Sequence, residues 1–154
     1  MGLEIERKFL VTEFNPELYE IKSTTKIAQG YLSDIPERTV RVRLRDQQGY
    51  LTIKGAASGA SRTEFEYAIP LEDARQMLEE LCVSSLSKTR YEVLYDSFLW
   101  ELDVFEGLNA GLIVAEIELP SEQTSFQKPP FVGEEVTHDY RYSNSYLAKH
   151  QLKD

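Results

Sequence analysis

Seven separate runs of this chain carry charge on every second residue, and no other feature restricts its fold as severely. In an extended strand successive side chains point to opposite faces, so Glu4, Glu6 and Lys8 share one surface while Leu3, Ile5, Phe9 and Val11 share the other. The pattern recurs in Arg41, Arg43 and Arg45, in Thr52 and Lys54, in Arg62, Glu64 and Glu66, in Lys88 and Arg90, in Glu101 and Asp103, and in Glu116 and Glu118. Across these runs eight acids face eight bases, segregated by strand. Neighbouring carboxylates repel, and a hard divalent cation with a preference for oxygen ligands offsets that repulsion. A lysine one step along the same face, as Lys8 is to Glu6, can hold an anion bound to such a metal. Three arginines on consecutive alternate positions make poor sheet surface unless an anion sits among them.

The surroundings of these runs set the organisation. Asn15 and Pro16 open a short helix through Glu20. Strands are predicted at about 4–11, 26–32, 39–45, 50–54, 62–69, 86–95, 98–105 and 112–119, with a hairpin turn at Asp46-Gln47-Gln48-Gly49. Leu71, Ala74, Met77, Leu78 and Leu81 recur at helical spacing and need an apolar sheet surface to cover. A short helix is expected from Ser121 to before Pro129-Pro130, and a last one from Tyr142 to Leu152. The small-residue stretch 55–61 lacks phosphate-loop spacing and reads as a connector. A chain of 154 residues, 42% hydrophobic and 28% charged, fits a single soluble domain spanning 1–154.

The net charge of −9 excludes broad affinity for nucleic acid or anionic membrane, so basic residues must be concentrated locally to bind an anion. No apolar run is long enough to span a bilayer and no signal region appears, so a cytoplasmic location is expected. Cys82 is the single cysteine, expected to be buried and inert on the apolar side of the helix. His138 and His150 lie outside the charged strands and read as surface residues.

Eight largely antiparallel strands predict an α+β, mainly β fold, an eight-stranded antiparallel closed barrel with a few covering helices. Which face lines the interior is open on these grounds. One arrangement puts Val40, Val42, Leu44, Phe65, Leu102, Val104, Ile117 and Leu119 inside and the charges in water, and such a barrel would carry an apolar ligand. The helical stripe around residues 71–81 and the segregation of bases argue for the reverse.

Taken in order, Glu4-Ile5-Glu6-Arg7-Lys8, Gln29-Gly30-Tyr31-Leu32, Val40-Arg41-Val42-Arg43, Leu51-Thr52-Ile53-Lys54-Gly55, Glu64-Phe65-Glu66-Tyr67, Lys88-Thr89-Arg90-Tyr91, Glu101-Leu102-Asp103-Val104-Phe105 and Glu116-Ile117-Glu118 resemble the CYTH family of triphosphate tunnel metalloenzymes. The likeness spans essentially the whole chain, including Gly133 to Thr137 and Arg141 to Asn144. It implies a charged tunnel inside the barrel. It further implies that Glu4, Glu6, Glu116 and Glu118, with Asp103 and Glu64 behind them, hold Mg²⁺ or Mn²⁺. Arg41, Arg43 and Arg90 then grip phosphate as forks and Lys8, Lys54 and Lys88 as point charges. Tyr31 matches the family's proposed proton acceptor, with Lys8 beside it, and activation of the water through Glu118 is the competing assignment. Arg45 and Arg62 share the parity but are assigned to the tunnel mouths.

Family members act on tripolyphosphate, thiamine triphosphate, ATP as class IV adenylate cyclases, or RNA ends. Nucleotide and thiamine substrates need a stacking group. Trp100 points away from the charged face, and Tyr50 shares a face with Lys54. The short chain resembles the small bacterial members of the family, which implies inorganic tripolyphosphate as the substrate, with ATP or thiamine triphosphate as alternatives, no nucleic-acid or membrane partner, and a homodimer compatible with the sequence. A non-catalytic polyphosphate-binding module is the reading from another class.

Overall fold

A computed structural model describes residues 3–152, with side chains from residue 5 onward. Nine strands follow one another: β1 (Leu3–Val11), β2 (Glu20–Ile35), β3 (Arg38–Arg45), β4 (Gln48–Gly55), β5 (Ser61–Ile69), β6 (Ser84–Tyr95), β7 (Phe98–Phe105), β8 (Ile113–Glu118) and β9 (Val132–Glu135). Helix α1 (Leu71–Glu80) follows β5, and α2 (Asn144–Leu147) lies near the end. The sheet order is β5-β4-β3-β2-β6-β7-β8-β1-β9, with β5 returning to β1 to close an eight-stranded barrel, and every pairing is antiparallel. Closure falls on three pairs, Leu3 to Ile5 of β1 opposite Thr63 to Ser61 of β5. Further along β1, β9 takes over that edge at Phe9 and Val11.

The apolar face of the charged strands turns outward. Phe9, Val93, Trp100, Leu102, Ala115, Ile117 and Leu119 form a core on the outside of β6, β7, β8 and β1. Phe14, Tyr19, Phe126 and Phe131 cover it, edge to face with one another and with Trp100. The opposite wall, β2 to β4, is covered by α1. There Ala74 sits directly over Gly49, where an added Cβ would lie 2.7 Å from the Ala74 methyl. Beyond the helix the outer face is left open, with Ile53, Phe65 and Tyr67 exposed. The barrel with those residues as an interior core is therefore overturned by the parity of the strands.

Several boundaries differ from the sequence expectations. β2 is sixteen residues long because its two pairings are staggered, Glu20 to Tyr31 on β6 and Ile27 to Ile35 on β3, so the strand spans both. The expected first helix is a single 3-10 turn (Pro16–Leu18) capped by the Asn15 side chain. No helix forms after Ser121. The Thr124 hydroxyl takes the Ser121 amide, a side-chain bond that competes with helix formation, and Phe126 is drawn onto the Trp100 core. The expected terminal helix is reduced to α2, preceded by a 3-10 turn (Tyr140–Tyr142). α1 stops at Glu80, so Leu81 is exposed rather than part of its buried stripe. Cys82 lies just past the helix, half-buried against Gly30.

Candidate functional site

The alternation that drives the outer face outward drives the charges inward. Arg41 and Arg43 on β3, Thr52 on β4, Lys88 and Arg90 on β6, and Asp103 on β7 are all buried, although five of the six are charged. Burial of that many charges is tolerable only where they are paired, hydrogen-bonded or destined to meet a counter-ion.

On the β6–β7 wall the pairing is complete. Asp103 receives Arg90 through a two-bonded fork at 2.8 and 2.9 Å and Lys88 at 2.6 Å. Burial opposes ionisation of Asp103, but Lys88 and Arg90 hold its carboxyl far below the usual carboxylate range. Lys88 also donates to the Asn144 side chain at 3.1 Å. Its ammonium is pulled down to about 7, by burial first and by Arg90 and Arg43, against the pull of Asp103. Arg90 reaches Glu101 at 3.3 Å, and burial raises the Glu101 carboxyl.

On the β3–β4 wall it is not. Arg43 donates its Nε to the neutral Gln29 at 2.9 Å and Arg41 donates to the Thr52 hydroxyl at 3.3 Å. Glu66, itself largely exposed, lies 3.8 Å from Arg41. The Arg41 Nε is buried with no hydrogen-bond partner. Arg43 is pushed down to about 9 by burial and by the neighbouring Arg41 and Arg90. Arg43 thus rests on a neutral partner, and Arg41 has only the more distant Glu66 carboxylate beside the Thr52 hydroxyl.

β1 and β8 supply the acids. Lys8 stands opposite Glu116 and Glu6 opposite Glu118 in the strand register. The Lys8 ammonium lies 3.6 Å from Glu116 and donates to the Tyr142 carbonyl at 3.0 Å. Burial would lower Lys8, but Glu116, Glu6 and Asp103 outweigh it and hold it raised; Lys8 in turn overcomes the burial of Glu116 and brings that carboxyl to about 2. Lys54 lies 3.5 Å from Glu64, whose Oε2 is buried without a hydrogen bond. The Glu4 side chain lies outside the described residues; its backbone stands opposite Arg62.

The structure thus brings Lys8, Glu6, Glu116, Asp103, Lys88, Arg90, Arg41, Arg43, Lys54 and Glu64 onto one inner surface with Tyr31. Among the described residues no three of His, Cys, Asp and Glu form a ready-made metal centre. The donor set still fits a hard cation of the magnesium kind, which binds through one or two carboxylates and completes its shell with substrate oxygens and water. The Glu64 Oε2, buried without a hydrogen bond and 3.5 Å from the Lys54 ammonium, is such a donor. Asp103, expected among the metal ligands, instead has both oxygens engaged by Lys88 and Arg90.

A cavity of about 540 Å³ opens at one mouth, where Glu6 and Lys8 meet Arg62, the 57–61 loop and the C-terminal segment. Arg62, assigned from sequence to the mouth, lines it and binds the Gly55 carbonyl. His138 and His150 are exposed, as expected, yet both lie on its rim, with His150 stacked on Tyr146. Tyr50 is half-buried and hydrogen-bonds Gln48, and Trp100 is buried in the outer core.

Sequence reasoning passed over three contributors. Phe105, Val114, Leu10 and Leu86 have the parity of the charged residues but are apolar, and with Leu147 of α2 they form a second core beside Lys88. Asn109 clamps the C-terminal segment by donating to the Leu147 and His150 carbonyls and accepting from the Leu152 amide. Gln29 is fully buried between Arg43 and Tyr31. Two of these had a signal, Gln29 in the Gln29 to Leu32 run and Phe105 at the end of the Glu101 to Phe105 run.

Comparison with known proteins agrees with this geometry. The CYTH domain matches residues 2–149. An inorganic triphosphatase of Acetivibrio thermocellus is 44% identical over all of this chain and 98% of its own length. An inorganic triphosphatase of Nitrosomonas europaea is 40% identical, covering 94% of this chain and 96% of the relative. The crystal structure of an inorganic triphosphatase superposes with a TM-score of 0.68 at 34% identity, covering 94% of this chain and 96% of that one.

Proposed function

The chain belongs to the CYTH domain family, and from that premise we propose that it is a metal-dependent hydrolase of inorganic tripolyphosphate. The observation that carries this reading is the β3 wall, where Arg43 faces the barrel interior on the neutral Gln29 and the buried Arg41 Nε has no hydrogen-bond partner. A polyanion with several adjacent phosphoryl groups satisfies such donors bidentately, and phosphoryl transfer is catalysed largely by positioning and by charge. The two relatives from Acetivibrio thermocellus and Nitrosomonas europaea, both inorganic triphosphatases, support the same substrate.

In this reading Arg41, Arg43 and Arg90 hold phosphoryl oxygens with Lys54 and Lys88, while Asp103 orients Lys88 and Arg90. Glu4, Glu6, Glu64, Glu116 and Glu118 would hold the cation, and Mg²⁺ or Mn²⁺ suits that all-oxygen set. A cation held there would supply positive charge that offsets the negative charge of the substrate. Tyr31 takes the proton of the attacking water with Lys8 alongside; attack in line with the terminal bridging bond expels pyrophosphate.

A second reading is favoured by one observation. Tyr140, Tyr146 and His150 form an aromatic cluster on the cavity rim, where an organic group could stack. A phosphate-release screen over tripolyphosphate, ATP and thiamine triphosphate, with Mg²⁺ and with Mn²⁺, separates the two. Fastest release from tripolyphosphate, abolished by Glu4→Gln, is the expected result. Preference for ATP, with cyclic AMP as product, would move the assignment to a cyclase, and tight binding without turnover to a binding module. Retained turnover in Glu4→Gln would remove Glu4 from the site.

A further inference from the structure

The inner face of β2 is organised by a side chain that carries no charge. Gln29 is fully buried. Its Oε1 accepts from Arg43 Nε at 2.9 Å and its Nε2 donates to the Tyr31 hydroxyl at 2.9 Å. The orientation of the amide follows from its partner, because a guanidinium N–H can only donate. The oxygen must face Arg43, so the NH₂ faces Tyr31, and Tyr31 is an acceptor in this bond. Its own hydroxyl proton is thereby left for another acceptor.

The backbone explains why the three groups keep this spacing. Gly30, between Gln29 and Tyr31, faces outward beneath the end of α1. An added Cβ there would lie 2.6 Å from Cys82 Sγ and 2.9 Å from Leu78 Cδ2. Only glycine lets the chain after α1 seat so closely, with Val83 donating its amide to the Tyr31 carbonyl. The strand is pinned from outside while its two flanking side chains meet inside.

We infer that Gln29 is a positioning residue that couples the Arg43 guanidinium to the Tyr31 hydroxyl. By donating to the phenolic oxygen it fixes that oxygen in the place from which it takes the proton of the attacking water. In that step the water oxygen bonds to the terminal phosphorus, the bridging P–O bond breaks, pyrophosphate leaves and the water proton passes to the Tyr31 oxygen. Through its oxygen the same amide fixes the Arg43 fork, so substrate grip and proton acceptance share one side chain. This rests on the role given to Tyr31 above.

The test is steady-state kinetics of wild type, Gln29→Met, Tyr31→Phe and the double variant, with tripolyphosphate as substrate. Gln29→Met should lower kcat about tenfold and raise KM. In the Tyr31→Phe background the same substitution should change kcat less than about twofold while KM still rises. An unchanged kcat in Gln29→Met, or an equal loss of kcat in both backgrounds, would overturn the inference. So would a Tyr31→Phe enzyme with wild-type kcat. If Gln29→Met does not fold, Gln29→Glu keeps an acceptor for Arg43 while removing the donor from Tyr31. Its kcat must fall, and a wild-type kcat overturns the inference equally. A wild type inactive on every triphosphate defeats the proposed function and the Gln29 role together; an active wild type whose kcat neither Gln29 variant changes defeats the Gln29 role alone.

Discussion

Two walls of one barrel treat buried cations in opposite ways. On β6 and β7, Lys88 and Arg90 are closed onto Asp103 by three bonds of 2.6 to 2.9 Å. On β3, Arg41 and Arg43 hydrogen-bond Thr52 and Gln29, Glu66 lies 3.8 Å from Arg41, and Arg43 is pulled down by burial first and then by its cationic neighbours. The first wall satisfies itself with short bonds. The second is left with positive charge that is only loosely compensated. The difference separates charge that holds the fold together from charge that is kept ready for substrate, although both follow from the same alternation in sequence.

The comparison breaks most visibly at Asp103. Asp103→Asn leaves two buried cations underpaired and should cost about 3–5 kcal/mol in urea unfolding. Arg43→Met should do the reverse, losing about a hundredfold in kcat/KM while stability stays within about 1 kcal/mol of wild type or rises. A destabilised Arg43→Met protein would erase the distinction between the walls. Tripolyphosphate at a hundred times its Kd should stabilise wild type by about 2.7 kcal/mol in thermal melts. The gain should shrink in Arg43→Met at the same ligand concentration.

Smaller effects sharpen the picture. Because Lys88 sits near 7, binding of the polyanion at pH 8 should be accompanied by proton uptake, read by calorimetry in buffers of different ionisation enthalpy. Glu116 is depressed from 4.5 to about 2, so its contribution to stability is present above about pH 4.5 and is lost as pH falls toward 2. Glu116→Gln should flatten that part of the acid unfolding curve. On the exterior, Glu135 pairs with Arg7 at 2.6 Å but both are about a third exposed. Glu135→Gln should cost less than about 1 kcal/mol, several times less than Asp103→Asn.

That the charges share one face was legible because strand parity has a period of two, but parity is blind to which face turns inward; that came only with the family resemblance and with the Trp100 and Phe9 core on the outside. The barrel was legible in the number of strands, and α1 in its 3.6-residue stripe. What escaped depends on contacts distant in sequence. β9 is four residues that pair with β1 more than 120 positions earlier, too short to declare itself by alternation. The 120–131 segment holds a helix-like composition, yet the Trp100 core and the Ser121–Thr124 bonds draw it out extended. Asn109 reads as a loop residue until the C-terminal segment folds back onto it. Within the site, parity named the charged residues but could not tell that Asp103 serves Lys88 and Arg90, because partner choice across strands is set by register and burial.

The account's central claim is that the β3 arginines receive the triphosphate inside the barrel. A crystal structure of the chain with tripolyphosphate tests it most directly. Phosphoryl oxygens within hydrogen-bond distance of the Arg41 and Arg43 guanidiniums, with Asp103 still holding Lys88 and Arg90, is the expected result. Tripolyphosphate bound on the outer face, or inside with both β3 arginines still turned to Thr52 and Gln29 alone, would contradict it.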